Sequence, residues 1–566
     1  MRFILLAQNI LSFGQRIIPG YLIFGILIVA PPMLLPQGIY SMPPMAGSDS
    51  AAHHKCGFPE ILESYFSADR SFYQSLKESR LTAGQFDFVI FSPSGRFKIF
   101  YQVDGIHAIP DYDRDLNGTP DYLEFVAESF DRAWEIEIDS LGFNPPRDSS
   151  GQFRDIYPVY CRLQRDYGQT ILDYEIPGLP HLNFVTYTEI NTNFSFITYP
   201  GVSDPIVRDS MAIAITAAHE FNHGIHSGYR IWAENNNVLD LWFIESSATY
   251  MEEVVCPEVN DYIQYLDFYF QRTHIPIDQS SGGLDDYGKV VLEIMLGERY
   301  HPQIVRLAWE EILENRALPS LDFVLQSLQS SFSAEFSLLS AWLYFTHDRS
   351  VSGGYFPDAD FFPSPRFIPA AAVQEGKTVL YTDSLRGNSF QWYFSSVEPG
   401  ISLQLHLKSL GGLNANDLIA TLIPFPGSEF IQFPASITYP IEIAPGQSSV
   451  PFGIVNVSKQ SDYNAYAMIS HPASSVISSP VTIYPQPFIL SQSQQYLHFG
   501  NLPKDASISI FNSQGLHIIT LEKHQVDGQI VWDLKNLNHT SIGSGVYLYF
   551  MKSATVQQQG KFVVIH

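Results

Sequence analysis

Residues 211–229, MAIAITAAHEFNHGIHSGY, constrain this chain more than any other stretch. They join an apolar, alanine-rich run at helical spacing to His219, Glu220 and His223 in an HExxH pattern. On an α-helix the two histidines lie one turn apart on one face, so both imidazoles reach one metal ion with Glu220 beside them. The apolar face demands burial, yet the three polar groups are costly to bury unless they are paired or bound to a metal. A fold that accepts this helix must give it a core on one side and a cleft on the other. Gly224 and Gly228 offer places for the helix to end. HExxH alone is a motif of modest specificity, and its competitor is a pair of core histidines satisfied by hydrogen bonds.

A second segment bears on that choice. In VLDLWFIESSATYMEEVV, 238–255, Leu241, Phe243, Ile244, Ala248 and Met251 recur at helical period and carry Glu245, 22 residues beyond His223. A helix there presents Glu245 as a third zinc ligand and leaves the fourth tetrahedral position for water, as catalytic zinc requires. His226 is expected to pack or to support a ligand. Glu252 and Glu253 are expected to be solvated or to act from behind the ligands.

The strand-like RFKIFYQVDG, 96–105, precedes a second metal pattern. Counting from Asp113, oxygen-bearing side chains fall at positions 1, 3, 5, 9 and 12: Asp113, Asp115, Asn117, Asp121 and Glu124. Gly118 stands at position 6 and the Thr119 carbonyl at position 7. That is the ligand order of an EF-hand calcium loop, 113–124, with a helix expected over 122–141. The alternative is a solvated acidic turn capping that helix.

At 566 residues the chain exceeds one core, and its length suggests three or four domains. A formal charge of −26 argues against nucleic acid or anionic lipid as a partner and favours cations such as calcium. From Ile17 to Ser48 no residue is charged, and YLIFGILIVA lies at its apolar centre. Residues 1–46 read as a secretory signal, with Ser41 or Ala46 as cleavage points, or as a membrane anchor. Cys56, Cys161 and Cys256 allow one disulfide and leave one thiol over, or none if Cys56 is removed or pairs elsewhere. None has CxxC spacing, so cysteine is not expected in a zinc site. Residues 47–85 read as a helical prosegment or extension, and 155–163, 181–190 and 194–200 as strands. Helices are expected through 304–315 and 336–348, then a Pro/Phe/Ser-rich linker at 355–367. Short alternating strands at 365–475 suggest a β-sandwich without a chemical signature, and about seven strands from 480 to 566 suggest another.

Several of these segments resemble known families. DLWFIESSATYMEE is similar to the third-ligand helix of gluzincins, the thermolysin and aminopeptidase class, departing from it at Ser246 and Ser247. LDDYGKVVLEIMLGERY, 284–300, resembles the aminopeptidase element whose tyrosine stabilises the oxyanion, which implies that role for Tyr287. The longer metzincin motif is disfavoured, because His226 and Tyr229 stand where it needs Gly and His. Residues 86–362 resemble a family of secreted bacterial metalloproteases through SPSGRFKIFY, DRDLNGTPDYLE, VYCRLQRDYGQT, ITAAHEFNHGIHSGY and IESSATYMEE. The block 480–566 resembles the C-terminal sorting domain of the type IX secretion system through YPQPF, NLP, WDL, SGVYLY and GKFVVI.

These resemblances imply an α+β chain: a gluzincin-like domain of mixed sheet plus α-helical lobe, followed by two all-β sandwiches. They imply catalytic Zn2+ on His219, His223 and Glu245, Glu220 as general base, structural Ca2+, and a protein or peptide substrate. The secretion machinery would be a partner, nucleic acid would not, and membrane contact would be limited to the N-terminal signal or surface attachment. The expected location is outside the cell or on its outer surface, reached through the periplasm. The competing expectation is an inactive, calcium-stabilised surface adhesin on a protease-like scaffold.

Overall fold

The computed structural model describes residues 55–82 and 86–370. Within 379–565 it describes all but 397–401, 410–414, 424–428, 435–437, 443–448, 459–463, 473–480, 485–487, 490–495, 501, 504, 513–514, 523–528 and 554–556. The expected signal at 1–46 lies outside the described residues. The chain is mixed α+β, with several separate sheets and a large helical region.

The first sheet is built from β1 (Phe88–Phe91), β2 (Phe97–Tyr101), β3 (Tyr157–Cys161), β4 (Gly168–Glu175) and β5 (Phe184–Ile190), in the order β1-β2-β3-β5-β4. Strands β2, β3 and β5 run parallel, while β1 and β4 are antiparallel edges. Strand β4, GQTILDYE, was not among the expected strands, whereas the expected 194–200 forms turns. Phe194, Ile197 and Tyr199 are buried there without strand pairing, so their hydrophobicity reports packing and not extension.

Ahead of the sheet stand α1 (Phe58–Phe66) and α2 (Ser71–Thr82), the helical lead-in foreseen for 47–85. Helix α3 (Asp121–Trp134) continues as one π-helical stretch through Ser140. Helix α4 (Pro205–Tyr229) holds the HExxH motif; Asp204 caps it by accepting from the Ile206 N–H at 3.0 Å. From Asp209 to Tyr229 every residue but Ala214 is buried, which fits a helix packed on several sides. Its Phe221 meets Phe97, Trp134 and Tyr157 in one aromatic cluster. Helix α4 does not end at Gly224. A Cβ at that position would lie 2.7 Å from the Tyr157 hydroxyl, so this glycine serves close helix–sheet packing and not termination.

Helix α5 (Leu241–Val255) crosses α4 and starts after Asp240, whose backbone is left-handed and whose carboxylate receives the Arg316 guanidinium and the Ala317 N–H. A helical region follows: α6 (Ile263–Phe270), α7 (Leu284–Gly288), α8 (Val291–Arg299), α9 (Gln303–Glu311), α10 (Ala317–Ser327) and α11 (Phe332–Tyr344). The expected linker at 355–367 is packed, with Phe356 and Phe362 buried. Helix α11 abuts the next block: Trp392 donates to the Ser340 carbonyl at 3.1 Å and Gln432 to the Ser337 carbonyl at 2.6 Å.

That block contains a five-stranded and a four-stranded sheet between Phe367 and Pro472. The last block, Thr482–Ile565, contains sheets of three and five strands. Phe499 and Trp532 of the smaller sheet share a core with Ile508, Ile510 and Phe562 of the larger, which makes this block a β-sandwich.

Candidate metal centre

The structure brings His219, His223 and Glu245 together. The two Nε2 atoms lie 3.0 Å apart, and Glu245 Oε2 and Oε1 lie 3.4 Å from His219 Nε2 and His223 Nε2 respectively. Tetrahedral zinc with bonds of about 2.0–2.1 Å to nitrogen and oxygen requires ligand atoms about 3.3 Å apart, so the spacing fits. Neither Glu245 oxygen makes a well-formed hydrogen bond, although the residue is only 1% exposed; His219 and Tyr287 are the polar groups against it. Burial holds the pKa of His219 down at about 3 and that of His223 well below the usual imidazole range. Both rings are therefore neutral, the form that offers a lone pair to a metal.

A chain of buried charges lies behind these three side chains. His219 Nδ1 is 2.7 Å from Glu252 Oε1, which sets Nδ1 as the protonated nitrogen and turns Nε2 to the centre. Glu252 Oε2 accepts from Lys55 Nζ at 2.6 Å, and the same ammonium donates to Asp261 Oδ2 at 2.7 Å. Lys55, Glu252 and Asp261 are all buried. Glu252 is thus a support for His219 and not a solvated group. Lys55 and Asp261 escaped the sequence reading, because a lone lysine 164 residues before His219 carries no periodic or motif signal.

Glu220 is 1% exposed; Oε2 accepts from Thr170 Oγ1 of β4 at 2.9 Å, and the Cys56 thiol is its other hydrogen-bonding neighbour. Burial pushes its carboxyl up to about 8. Tyr287, on α7, is buried with its ring 5.9 Å from that of His219, and burial together with the neighbouring Glu245 raises its phenol well above the usual range. His226 stacks on Trp309 with ring centroids 3.8 Å apart, so it packs, as expected for a residue outside the ligand set.

Cys56 is the departure from expectation. Its sulfur and one ligand atom each of His219, His223 and Glu245 lie within 4.8 Å of one another. All three cysteines are free thiols and buried, so the disulfide allowed by their number does not form. Cys56 reaches the centre through fold and not through motif: its backbone bridges Gly168 at the head of β4.

The acidic loop also closes on itself. Asp113, Asp115 and Asp121 bring carboxylate oxygens within 4.8 Å of one another. Asn117 donates to Asp115 at 2.8 Å and to Glu124 at 2.7 Å, and the Thr119 N–H donates to Asn117 Oδ1. Gly118 has φ of 92°, the left-handed backbone that aims neighbouring groups inward. Arg114 forms a two-bonded ion pair with Asp204, the cap of α4, and so ties loop to helix.

No known protein family matches the chain, and no curated protein matches it. Among solved structures, a segment covering 18% of the chain is similar to 14% of PorZ, a bacterial surface component of the type-IX secretion system of Porphyromonas gingivalis, at 19% identity and a TM-score of 0.15. PliG, a periplasmic inhibitor of g-type lysozyme from Salmonella Typhimurium, aligns over its full length with 19% of the chain, at 8% identity and a TM-score of 0.15. The adhesin domain of Epf from Streptococcus pyogenes aligns over 77% of its length with 33% of the chain, at 9% identity and a TM-score of 0.13. At these TM-scores none of them bears on the fold or the activity of this chain. Among the described residues, no helix is long and apolar enough to cross a membrane.

The buried triad yields a stability test. Lys55→Met leaves Glu252 and Asp261 facing each other without a cation, and breaking a buried pair costs about 3–5 kcal/mol. Equilibrium denaturation should read a loss of that size; an unchanged midpoint would mean that the two carboxyls are held as neutral acids.

Proposed function

We propose that residues 86–362 form a zinc-dependent metallopeptidase domain, braced by a calcium loop at 113–124, and that residues 480–566 serve export through a type IX route. The observation that carries the enzymatic reading is the convergence of two neutral imidazole Nε2 atoms, 3.0 Å apart, on a buried carboxylate 3.4 Å from each. The residues present fit zinc: two imidazoles, one carboxylate, and a carboxylate behind His219. When bound, zinc supplies a Lewis acid that polarises a carbonyl and acidifies water.

The chain's own groups have complementary tasks. Glu220, buried beside the two histidines, takes a proton from the attacking water and returns it to the leaving amine. A carboxyl raised towards neutrality both accepts and gives up a proton near neutral pH. Tyr287 keeps its phenolic proton and can donate it in a hydrogen bond to the developing oxyanion. Edge strand β4, whose Thr170 touches Glu220, offers backbone groups against which an extended peptide can align. A peptide is therefore the substrate class the site suits.

Elemental analysis and a casein or peptide-library assay, on the wild type and two variants, test this reading. Glu220→Gln should retain one zinc and lose about 100-fold or more in turnover, the range general-base catalysis contributes. Glu245→Ala should lose zinc and activity together. Full zinc stoichiometry in Glu245→Ala would overturn the ligand assignment, and zinc binding without any cleavage by the protein, whether intact or cut at 68–70, would favour the adhesin reading.

Calcium at 113–124 is read as structural, because the loop joins the start of α3 to the cap of α4 through Arg114 and Asp204. Calcium at 100 times its dissociation constant should add about 2.7 kcal/mol of stability. Chelation by EGTA should therefore lower the melting temperature of the wild type and leave that of Asp115→Ala unchanged. A wild type indifferent to EGTA would contradict calcium in this loop.

A further inference from the structure

The candidate site is closed. His219, Glu220, His223 and Glu245 are each at most 2% exposed, so a peptide has no access to the groups that would cleave it. The N-terminal extension supplies the cover. Lys55 accepts from the Tyr167 N–H through its carbonyl at 3.2 Å, and the Gly57 N–H donates to the Gly168 carbonyl at 3.0 Å, so 55–57 pair with the head of edge strand β4. Further along that edge, Tyr73 of α2 donates to the Leu172 carbonyl and Lys77 to the Asp173 carbonyl. These are backbone groups that an added peptide strand would use.

Side chains of the same segment fill the centre. Cys56, 4% exposed, joins His219, His223 and Glu245 in one cluster, and its sulfur accepts the Phe58 N–H at 3.2 Å. Phe58 stacks on the His223 ring with centroids 4.4 Å apart. Gly57 makes this approach possible, because a Cβ there would lie 2.7 Å from Gln169 Oε1 and 2.9 Å from Gln169 Cβ. Lys55 anchors the segment in the dry pocket of Glu252 and Asp261. The Glu245 oxygens lie 3.4 Å from His219 Nε2 and His223 Nε2 in a residue only 1% exposed and have no well-formed hydrogen bond, which marks this space as a place for a cation apart from the thiol, while the thiol itself also lies against Glu220.

We infer that residues 55–66 are a latency plug: Cys56 supplies the fourth ligand of the metal, in the position a catalytic site reserves for water, while 55–57 cover the edge of β4. The inference rests on the zinc reading. Two histidines, one carboxylate and one thiolate complete a tetrahedron and balance the charge of a divalent ion, giving the closed coordination of an inert site. On binding, the S–H bond of Cys56 breaks, a sulfur–metal bond forms, and the proton leaves to solvent. Opening reverses this: the sulfur–metal bond breaks, water takes the vacated position, and the thiolate regains a proton. The exposed turn at 68–70, between α1 and α2, is where a cut would free the plug from the rest of the chain.

The test uses the full chain with Co2+ in place of zinc. The wild type should show a near-ultraviolet thiolate-to-cobalt charge-transfer band. Cys56→Ser and Gly57→Leu should keep one cobalt, lose the band, and gain about tenfold or more in peptide cleavage by their zinc forms, as release of a mostly closed population demands. A wild-type chain with a site-specific protease sequence inserted at 68–70 should gain the same activity when cut, which covers the case in which a variant fails to fold. Cobalt bound without the band overturns the plug and leaves the zinc site standing. A band with no gain of activity in the variants or the cut chain overturns latency and leaves Cys56 a structural ligand. A wild type that binds no cobalt overturns the zinc reading, and this inference with it.

Discussion

Two imidazole nitrogens 3.0 Å apart lie in a dry interior beside a buried carboxylate, an arrangement costly to bury unless its polar groups are paired or bound to a cation. Much of the first 360 residues can be understood as the means of holding that arrangement. Helix α4 is packed on several sides so that its histidines cannot turn to water, and Gly224 lets it lie against Tyr157 of the sheet. Helix α5 brings Glu245 beside His219 and His223 and, two turns on, Glu252 to the back of His219. The calcium-type loop fixes the far end of α4 through the Arg114–Asp204 pair.

Electrostatics sets the state of each buried group around the candidate centre. His219 and His223 are driven neutral by burial, so they offer lone pairs and not positive charge. Lys55 is the cation that compensates Glu252 and Asp261, and it comes from the same short segment as Cys56. The extension before the sheet is therefore tied to the centre twice, once by an ammonium and once by a thiol. Losing that segment would expose the ligands and strip two carboxylates of their partner. This is why its position bears on regulation and not only on stability.

The helices that carry the site were legible because they repeat at helical period. HExxH and Glu245 lie on long, apolar, periodic segments, and the EF-hand-like order of Asp113 to Glu124 is a local pattern. The rest was set by long-range pairing that leaves no local trace. Cys56 meets His219 only because a parallel bridge to Gly168 carries it there, and β4 was missed although it forms the edge beside Glu220. Aromatic residues in 194–200 suggested extension, yet they pack from turns. Glu252 illustrates the remaining difficulty: the sequence leaves adjacent glutamates at a helix end either solvated or acting from behind His219, and only the lysine from far away in sequence found against one of them decides it.

X-ray diffraction from crystals of the unmutated, zinc-loaded protein, recorded on both sides of the zinc absorption edge, tests the central claim most directly. The account predicts one anomalous peak within coordinating distance of His219 Nε2, His223 Nε2 and the Glu245 carboxylate. A zinc-containing crystal with no peak there, or with its peak elsewhere, would contradict it.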